Sequence, residues 1–289
     1  MSGQAVLPPW VVLDAMLEDW LREDIGRGDR TTQSIFGTDE AKVSGEWRVK
    51  EQGVIAGLAV AARVFRLLDS EASFVAEVPD GTMCDRAQVV ARLHGSPVAL
   101  LMGERVALNL AMRLSGIATA TRRYVDQIAD LPTQLVDTRK TTPGLRLLEK
   151  YATQVGGAMN HRMGLDDGVM IKDNHIAAAG GIGPAIARVR GRVPYPLTIE
   201  VETETLAQVE EALAAGADII MLDNMAIAQM QEAVQRIRQV SGRIKIEASG
   251  NITLETIRAV AETGVDYVST SAPITRSTWL DLSMKLKNA

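Results

Sequence analysis

The sequence has almost no cysteine and few aromatic residues. Cys84 is the one cysteine among 289 residues, and Phe, Trp and Tyr together make up 4% of the chain. A single cysteine excludes an internal disulfide framework and any cluster of thiolate metal ligands. Nothing in the sequence therefore requires an oxidising compartment, and we expect a cytoplasmic protein.

The chain also lacks long apolar runs and an excess of positive charge. No stretch approaches the ~18 apolar residues of a membrane-spanning helix, and Met1 to Trp10 does not have the pattern of a secretion signal. The 31 Lys and Arg residues are outnumbered by 36 Asp and Glu residues, which gives a formal net charge of −5. We therefore expect neither a membrane nor a nucleic acid as a partner, and any anion binding must be local.

The first part of the chain mixes short strand-like runs with few helices. Apolar residues at spacings of three and four predict a helix from Pro8 to Glu23, and the glycine-containing segment 26–32 is then interpreted as a loop. Short β-like runs follow, and a long helical stretch covers residues 98–130, with Gly116 as its internal weak point. This pattern predicts an α+β unit with a small, partly antiparallel sheet.

After Pro132, strands and helices alternate strictly. Regular alternation predicts parallel strands with right-handed crossovers, either in an open sheet or in a barrel. In residues 198–202 acids alternate with apolar residues, so Glu200 and Glu202 share one face of a strand. An open sheet covered by helices on both faces would bury these carboxylates in hydrocarbon, whereas a barrel turns them into a polar centre. We therefore favour the barrel.

Polar residues lie where each predicted strand of this second part ends. The carboxyl ends of parallel barrel strands converge on one rim, where such folds place their active sites. The first two strands supply cations, the next two supply carboxylates, and the last two supply small polar residues. The segments concerned are Asp137–Lys140, Lys172–His175, Glu202, Asp223–Asn224, Ser249–Asn251 and Ser269–Ser271.

The positive side chains at this rim favour an anionic ligand. Arg139, Arg162 and Lys172, together with His161, suit carboxylates or phosphates, because an arginine fork matches a carboxylate in bidentate fashion. Lys140 is better suited to act as a point charge on a phosphate. The ordinary alternative for Arg139 and Lys140 is a solvated surface pair, but their position directly after an apolar strand favours a binding site.

Glu202 and Asp223 are hard oxygen ligands at neighbouring strand ends. Mg²⁺ commonly takes one or two protein carboxylates together with phosphate oxygens, so this pair is a candidate metal site. Taken singly, Glu202 is equally compatible with a buried ion pair and Asp223 with a helix N-cap. The Ser249–Asn251 turn, before a helix expected near Thr253, offers free backbone N–H groups to a phosphate, although such turns also occur merely to change direction.

Together, these segments resemble quinolinate phosphoribosyltransferase. The core signature begins with Asp137-Thr-Arg-Lys-Thr-Thr-Pro-Gly-Leu-Arg146. It continues, with supporting pieces along nearly the whole chain, in Glu149–Ala152, Asn160–Leu165, Ile171–His175, Glu200–Glu202, Met221–Asn224 and Ala248–Ile252. So many pieces in the same order make the resemblance highly specific.

The resemblance implies an α/β fold in two parts. An N-terminal open-faced α/β sandwich over residues 1–115 would precede an incomplete α/β barrel of about six strands over residues 116–275. The C-terminal segment 276–289 would pack back on the N-terminal domain. The family also implies a homodimer whose subunits complete each other's sites, and the dimers could pair into a higher oligomer.

The resemblance further implies a reaction and its substrates. Quinolinate and phosphoribosyl pyrophosphate would give nicotinate mononucleotide, pyrophosphate and CO₂ in de novo NAD biosynthesis, with Mg²⁺ required. By motif position, the quinolinate carboxylates would be held by a set of cationic residues that includes one arginine from the partner subunit. This set comprises Arg139, His161, Arg162, Lys172 and, from the partner, Arg105.

The remaining site residues implied by the resemblance handle the second substrate and the metal. Glu202 and Asp223 would serve Mg²⁺ and the ribose, and with Lys140 they form the expected catalytic set. Phosphoribosyl pyrophosphate would contact Lys140, Lys172, Ser249, Gly250, Asn251 and Ser271. The chain departs from the family pattern at residues 271–277, where many members read Gly-Ala-Leu-Thr-His-Ser and this chain has an extra residue, Ser for Gly and Arg for His.

Two other functions remain as alternatives at this point. A related group associated with molybdenum transport genes shares the Asp-Thr-Arg-Lys signature, but the His161-Arg162 and Lys172–His175 segments favour the quinolinate enzyme. A non-catalytic sensor of phosphoribosyl pyrophosphate or of a pyridine dicarboxylate would have the least need of Glu202 and Asp223. Pyridine ribosylation would separate the enzyme from the first group, and Mg²⁺-dependent turnover would separate it from a sensor.

Overall fold

In the computed structural model of the chain, residues 5–37 and 41–287 are described. They fall into two compact units, one with the ranges Met1–Arg122, Leu147–Gly157 and Arg276–Ala289 and the other with the ranges Arg123–Arg146 and Ala158–Thr275. Among the helices of the described residues, none combines the length and apolar character that a membrane crossing requires.

The described helices and strands follow one another in mixed order. The helices are α1 (Trp10–Ile25), α2 (Arg30–Ile35), α3 (Leu58–Leu68), α4 (Pro97–Gln127), α5 (Arg146–Gly156), α6 (Asp173–Ala179), α7 (Ile182–Arg190), α8 (Leu206–Ala214), α9 (Ile227–Val240), α10 (Ile257–Ala261) and α11 (Ala272–Thr275). The strands are β1 (Val43–Val49), β2 (Gly53–Val54), β3 (Ser73–Ala76), β4 (Met83–Cys84), β5 (Val89–Gly95), β6 (Gln134–Val136), β7 (Val169–Ile171), β8 (Ile199–Thr203), β9 (Ile219–Asp223), β10 (Lys245–Ser249), β11 (Tyr267–Ser269) and β12 (Leu282–Lys287).

The first unit is built on an antiparallel sheet with the strand order β12-β1-β5-β3. Trp47 of β1 is fully buried and packs edge-on against Phe74 and Phe65, with ring centroids 5.2 Å and 6.3 Å away. Strand β12 brings the C-terminal part of the chain into this sheet, with Leu282 opposite Val49. The predicted small antiparallel sheet is therefore confirmed, although its outermost strand was not recognised in the sequence.

Helix α2 occupies part of the segment that was interpreted as a loop. The prediction was wrong from Arg30 onward, because Asp29 caps a short helix there by accepting a hydrogen bond from the Thr32 N–H at 3.0 Å. The preceding Gly26 and Gly28 have positive φ angles and separate this helix from α1. The glycines therefore mark only the break between two helices, not a loop over the whole segment.

Helix α4 runs through Gly116 without interruption. A Cβ atom at this position would lie 2.0 Å from the carbonyl oxygen of Thr278, so only glycine allows the C-terminal segment to approach the helix so closely. The Leu280 N–H, two residues further on, donates to the carbonyl of Met112 at 3.0 Å. Gly116 is therefore a packing residue. The predicted domain boundary at 115/116 and the boundary between the compact units, at 122/123, both fall inside this one helix.

The second unit contains a six-stranded parallel sheet with the order β6-β11-β10-β9-β8-β7. Strands β6 and β7 are its two edges. The segment after α5 extends the β6 edge through a single parallel bridge between Val136 and Met159. This is the strand set of an incomplete barrel, and the predicted class of fold is confirmed.

The side chains of β8 alternate as the sequence predicted. Ile199 and Val201 are fully buried in an apolar cluster that contains residues of the helices α7, α8 and α9. Glu200 points to the opposite face, where it is also buried, at 3% exposure. A carboxylate so deeply buried requires partners, and those partners belong to the site described next.

Candidate active site

The predicted site residues of the second unit lie at the carboxyl ends of its parallel strands. Arg139 and Lys140 follow β6, Lys172 directly follows β7, and Glu202 is the penultimate residue of β8. The later strands supply the remainder of the set, which comprises Asp223 at the end of β9, Ser249 at the end of β10 with Gly250 and Asn251 after it, and Ser271 two residues after β11. Parallel strands bring these ends to one edge of the sheet, as expected.

Arg105 lies in the first unit, on α4, and its side chain is exposed. Burial raises the pKa of its neighbour Glu104, and the positive charge of Arg105 partly offsets that rise. The prediction for Arg105 concerned the partner subunit's site, so it remains a prediction.

The segment that carries His161 and Arg162 is fixed to the end of β6 by a buried carboxylate. Asp137, at 3% exposure, accepts a hydrogen bond from the His161 backbone N–H at 2.8 Å and one from the Asn160 side-chain amide at 2.6 Å. Sequence reasoning gave Asp137 no role of its own, because this role depends on two segments more than twenty residues apart. The contact places His161 and Arg162 beside the strand end that carries Arg139.

Arg139 and Arg162 lie close enough together for their positive charges to interact. Burial and the positive charge of Arg139 lower the pKa of Arg162, and the negative charge of Glu200 opposes that shift. Arg162 donates from Nη1 to the Gly168 carbonyl at 2.8 Å, while the buried Nε of Arg139 has no hydrogen-bond partner among the described residues. Two half-buried guanidinium groups in this arrangement favour an anion as their ligand.

Lys172 and Glu202 form an ion pair at the ends of β7 and β8. The Nζ atom of Lys172 lies 3.0 Å and 3.2 Å from the two carboxylate oxygens of Glu202, and both side chains are partly exposed. The ion pair that the sequence allowed for Glu202 therefore exists, and its partner is a residue predicted to bind substrate. The sequence predicted that cations from the first two strands would lie near carboxylates from the next two strands, and Lys172 and Glu202 form such a contact.

The ends of β9 and β10 are joined through a pair of asparagines. Asn224 and Asn251 both have left-handed backbone conformations, with φ angles of 53° and 51°, and the Asn251 side-chain amide donates to Asn224 Oδ1 at 3.1 Å. Gly250 has a φ angle of 97°, and a Cβ atom there would lie 2.2 Å from Asn224 Oδ1. The turn therefore requires glycine. The Asn224 side-chain amide also donates to Asp223 Oδ2 at 2.8 Å, so the turn helps to orient this carboxylate.

One alternative and one expectation from the sequence are corrected in this region. Asp223 is not a helix N-cap, because the N-cap residue of the following helix α9 is Ala226. The helix expected near Thr253 begins only at Ile257 and has five residues. Any phosphate contact of Ser249, Gly250 and Asn251 would thus come from the backbone of the turn and not from a helix N-terminus.

The structure also places two buried glutamates at this site. Sequence reasoning missed Glu247 and gave Glu200 no role in the chemistry. The Nε2 atom of His161 lies 3.1 Å from Glu200 Oε2 and 3.5 Å from Glu247 Oε2. Burial and the neighbouring charge of Glu200 raise the pKa of Glu247 to about 8, while His161 and a hydrogen bond from Ser269 act in the opposite direction. The alternation Ile246-Glu247-Ala248 in β10 is the signal that could have placed Glu247 on the same face as Glu200.

Comparisons with known proteins point to a single family. The family model described as "Quinolinate phosphoribosyl transferase, N-terminal domain" matches residues 29–115, and the corresponding "C-terminal domain" model matches residues 117–285. A probable nicotinate-nucleotide pyrophosphorylase (carboxylating) of Synechocystis sp. is 58% identical over 280 residues, which cover 97% of this chain and 94% of the relative.

More distant relatives and solved structures agree with these matches. The Nicotiana tabacum protein "Quinolinate phosphoribosyltransferase (decarboxylating) 2a, mitochondrial" is 38% identical over 297 residues, covering 96% of this chain and 83% of that protein. The crystal structure of NadC from Streptococcus pyogenes has a TM-score of 0.93 at 44% identity, and the match covers 98% of this chain and 99% of that one.

Proposed function

The chain belongs to the quinolinate phosphoribosyl transferase family, and from that membership we propose which of its residues carry out the reaction. The enzyme transfers the phosphoribosyl group of phosphoribosyl pyrophosphate to quinolinate with decarboxylation. The products are nicotinate mononucleotide, pyrophosphate and CO₂, and the reaction belongs to de novo NAD biosynthesis.

The observation that carries the assignment of the quinolinate pocket is the arginine pair Arg139 and Arg162. Quinolinate has two adjacent carboxylates, and each guanidinium fork can take one carboxylate in bidentate fashion. The buried, unpartnered Nε of Arg139 supports this role, because a carboxylate would supply the missing acceptor. We propose that Lys172 completes the pocket within one subunit, that His161 contributes to it by holding the backbone of Arg162, and that Arg105 reaches it from the partner subunit.

Glu202 and Asp223 are the residues that we propose to hold Mg²⁺. They offer hard carboxylate oxygens from the neighbouring strands β8 and β9, which fits a cation that favours oxygen ligands and shares them with phosphates. When bound, the ion would neutralise charge on the pyrophosphate group. The pairing of Glu202 with Lys172 supports a coupled exchange, in which Lys172 moves to a quinolinate carboxylate and leaves Glu202 free for the cation.

For phosphoribosyl pyrophosphate, we propose a cradle at the later strand ends. Lys140 is exposed at the rim and is suited to the charge of the pyrophosphate. Gly250 and Asn251, in their left-handed turn, leave backbone N–H groups open to a 5′-phosphate, and Ser249 and Ser271 add hydroxyl groups. We propose that Lys172, which is paired with Glu202, contacts both substrates in turn.

The proposed roles account for the chemistry without a covalent nucleophile. As pyrophosphate leaves C1 of the ribose, positive charge grows on the sugar, and the Glu202 and Asp223 carboxylates stabilise it while Lys140 stabilises the leaving group. The arginines hold the pyridine nitrogen against C1. Once ribosylated, the cationic ring stabilises the electron pair left at C2 when the 2-carboxylate departs as CO₂, and a proton from water then takes the place of the carboxylate at C2.

The direct test is detection of nicotinate mononucleotide by HPLC from quinolinate and phosphoribosyl pyrophosphate, with and without Mg²⁺. We expect product only with Mg²⁺, and far less product when nicotinate, which has one carboxylate, replaces quinolinate. Substrate binding without Mg²⁺-dependent turnover would indicate a sensor. Failure to ribosylate any pyridine would instead favour the group associated with molybdenum transport genes.

We also propose that the protein is a homodimer with sites shared between subunits. Variants R105A and R139A should each be nearly inactive, because each removes one guanidinium from every site. After mixing and subunit exchange, random pairing should restore about a quarter of the wild-type activity, since half of the dimers are mixed and each mixed dimer has one intact site. Light scattering should report the dimer, and activity that stays at the level of the separate variants would mean that each site is self-contained.

A cytoplasmic location is part of the same proposal. Cys84 is fully buried, and burial raises the pKa of its thiol, so it has neither a disulfide partner nor the thiolate character of a reactive cysteine. This agrees with the reducing compartment expected from the sequence.

A further inference from the structure

Beneath the proposed quinolinate pocket lies a buried cluster formed by His161, Glu200 and Glu247. One ligand atom of each residue lies within 4.8 Å of the other two. Glu200 and Glu247 are 3% and 4% exposed, and the Oε1 atom of each is buried without a hydrogen-bond partner among the described residues. The reaction as derived above uses neither carboxylate, so the cluster needs an explanation of its own.

The two carboxylates cannot both be charged at low cost in this position. They come from β8 and β10, on either side of β9, whose residues in register with them are apolar, Ile219 beside Glu200 and Met221 beside Glu247. Among the described residues, the other groups that face Glu247 are His161, from the segment after α5, and Ser269 and Tyr267 of β11, of which Tyr267 is its partner in register. Burial and the charge of Glu200 raise the pKa of Glu247 to about 8, which favours a protonated Glu247 near neutral pH.

The hydrogen bonds of His161 define one tautomer of its ring. The Arg162 backbone N–H donates to Nδ1 at 2.7 Å, so Nδ1 has a free lone pair and the ring proton is on Nε2. That Nε2 proton points to Glu200 Oε2 at 3.1 Å. The imidazole is therefore held at one end by the backbone of Arg162 and at the other by Glu200.

We propose that Glu247 is a positioning residue for quinolinate binding. Its protonated carboxyl leaves a single negative charge in the acid pair, on Glu200, and Glu200 holds His161 and thereby the backbone of Arg162. Because the pair carries only this one charge, it does not pull the Arg162 guanidinium away from the substrate. The inference rests on the proposed function, because it assumes that Arg162 binds a quinolinate carboxylate. It goes further by assigning a role to two residues that touch no substrate.

The charge balance around Arg162 explains why a neutral Glu247 matters. Glu200 already acts on Arg162, since its charge favours the protonated guanidinium, whereas the nearby charge of Arg139 opposes it. A second negative charge on Glu247 would make the acid pair a competitor of the substrate for the same guanidinium. Loss of the proton should therefore weaken quinolinate binding and leave the chemical step unchanged.

The central variant is E247Q, in which an amide replaces the protonated carboxyl and cannot ionise. Above about pH 8, the wild-type KM for quinolinate should rise by up to about tenfold per pH unit, whereas the KM of E247Q stays flat and kcat of both follows the same curve. The matched control is E46Q, which changes a buried glutamate of the first unit and should leave the wild-type pH profile intact.

The stability of the protein should also depend on the protonation of Glu247. Because the folded-state pKa of Glu247 lies above its usual value of 4.5, the wild type should lose stability as the pH rises from about 4.5 to about 8. E247Q lacks this loss, so its melting temperature should exceed that of the wild type by an amount that grows with pH over this range. A melting-temperature difference that is independent of pH would contradict the proposal.

Two further measurements keep the proposal testable should E247Q fold poorly. Nitrogen NMR of the wild type, which has only three histidines, should show His161 as the neutral Nε2–H tautomer, and a doubly protonated His161 at about pH 7 would overturn the proposal. Elemental analysis should find no equivalent of Zn²⁺ or Mn²⁺ that is lost in E247Q, because such an ion would make the cluster a metal site. If the wild type does not convert quinolinate at all, the proposed function fails, while the tautomer and the melting curves still decide the state of the cluster.

Discussion

Replacing Arg162 with alanine should lower kcat/KM for quinolinate by about 10²–10⁴, because each charge-assisted hydrogen bond contributes ~1.5–3 kcal/mol and a bidentate contact contains two. The main change should be in KM for quinolinate, with a smaller change in KM for phosphoribosyl pyrophosphate. Steady-state kinetics at saturating phosphoribosyl pyrophosphate would measure both. R139A should behave in the same way, since both arginines are proposed to bind carboxylates of one substrate.

The controls for this prediction separate charge, geometry and folding. R162K keeps the charge without the fork and should fall between the wild type and R162A. R188A removes an exposed arginine of α7 in the same unit and should leave kcat and KM for quinolinate unchanged. R162A also loses the hydrogen bond to the Gly168 carbonyl, whereas the Nε atom of Arg139 has no hydrogen-bond partner among the described residues, so R139A should melt more like the wild type than R162A does. An unchanged KM for quinolinate in both alanine variants would exclude the proposed pocket.

Much of the second unit could be predicted from the sequence because its signals are local. Each barrel strand is a short apolar run that ends in polar residues, so the positions of Lys172, Glu202 and Asp223 follow from the strand boundaries alone. Alternation in β8 correctly separated Ile199 and Val201 from Glu200. The errors occur where a local signal has two meanings, as at Asp29, whose N-cap role was hidden by the surrounding glycines.

The unpredicted parts of the site depend on contacts between segments that are distant in the sequence. The role of Asp137 requires Asn160 and His161 to fold beside β6, and the role of Glu247 requires Glu200 to face it across β9. Strand β12 is similar, because its partner β1 lies more than two hundred residues earlier. No pattern in a single segment contains this information, and only the folded chain brings the partners together.

Replacing Glu202 with glutamine, or Asp223 with asparagine, should lower kcat by about 10²–10³, the size of effect seen when one group that stabilises transition-state charge is removed. Both changes keep the shape of the side chain and remove the charge that would hold Mg²⁺ and face the developing positive charge on the ribose. The concentration of Mg²⁺ required for half-maximal rate should rise as well. Initial rates over a Mg²⁺ titration, at saturating levels of both substrates, would measure both effects.

The ion pair between Lys172 and Glu202 makes E202Q a sharper test than a loss of rate alone. In the wild type, Lys172 must leave Glu202 before it can contact quinolinate, so removing the charge of Glu202 should free the lysine and leave KM for quinolinate unchanged or lower. This is the opposite of the change expected for R162A, where KM rises. E204Q, which alters an exposed glutamate two positions further along the chain, should change neither constant. If E202Q raised KM for quinolinate and left both kcat and the Mg²⁺ dependence intact, Glu202 would belong to the quinolinate pocket and not to the metal site.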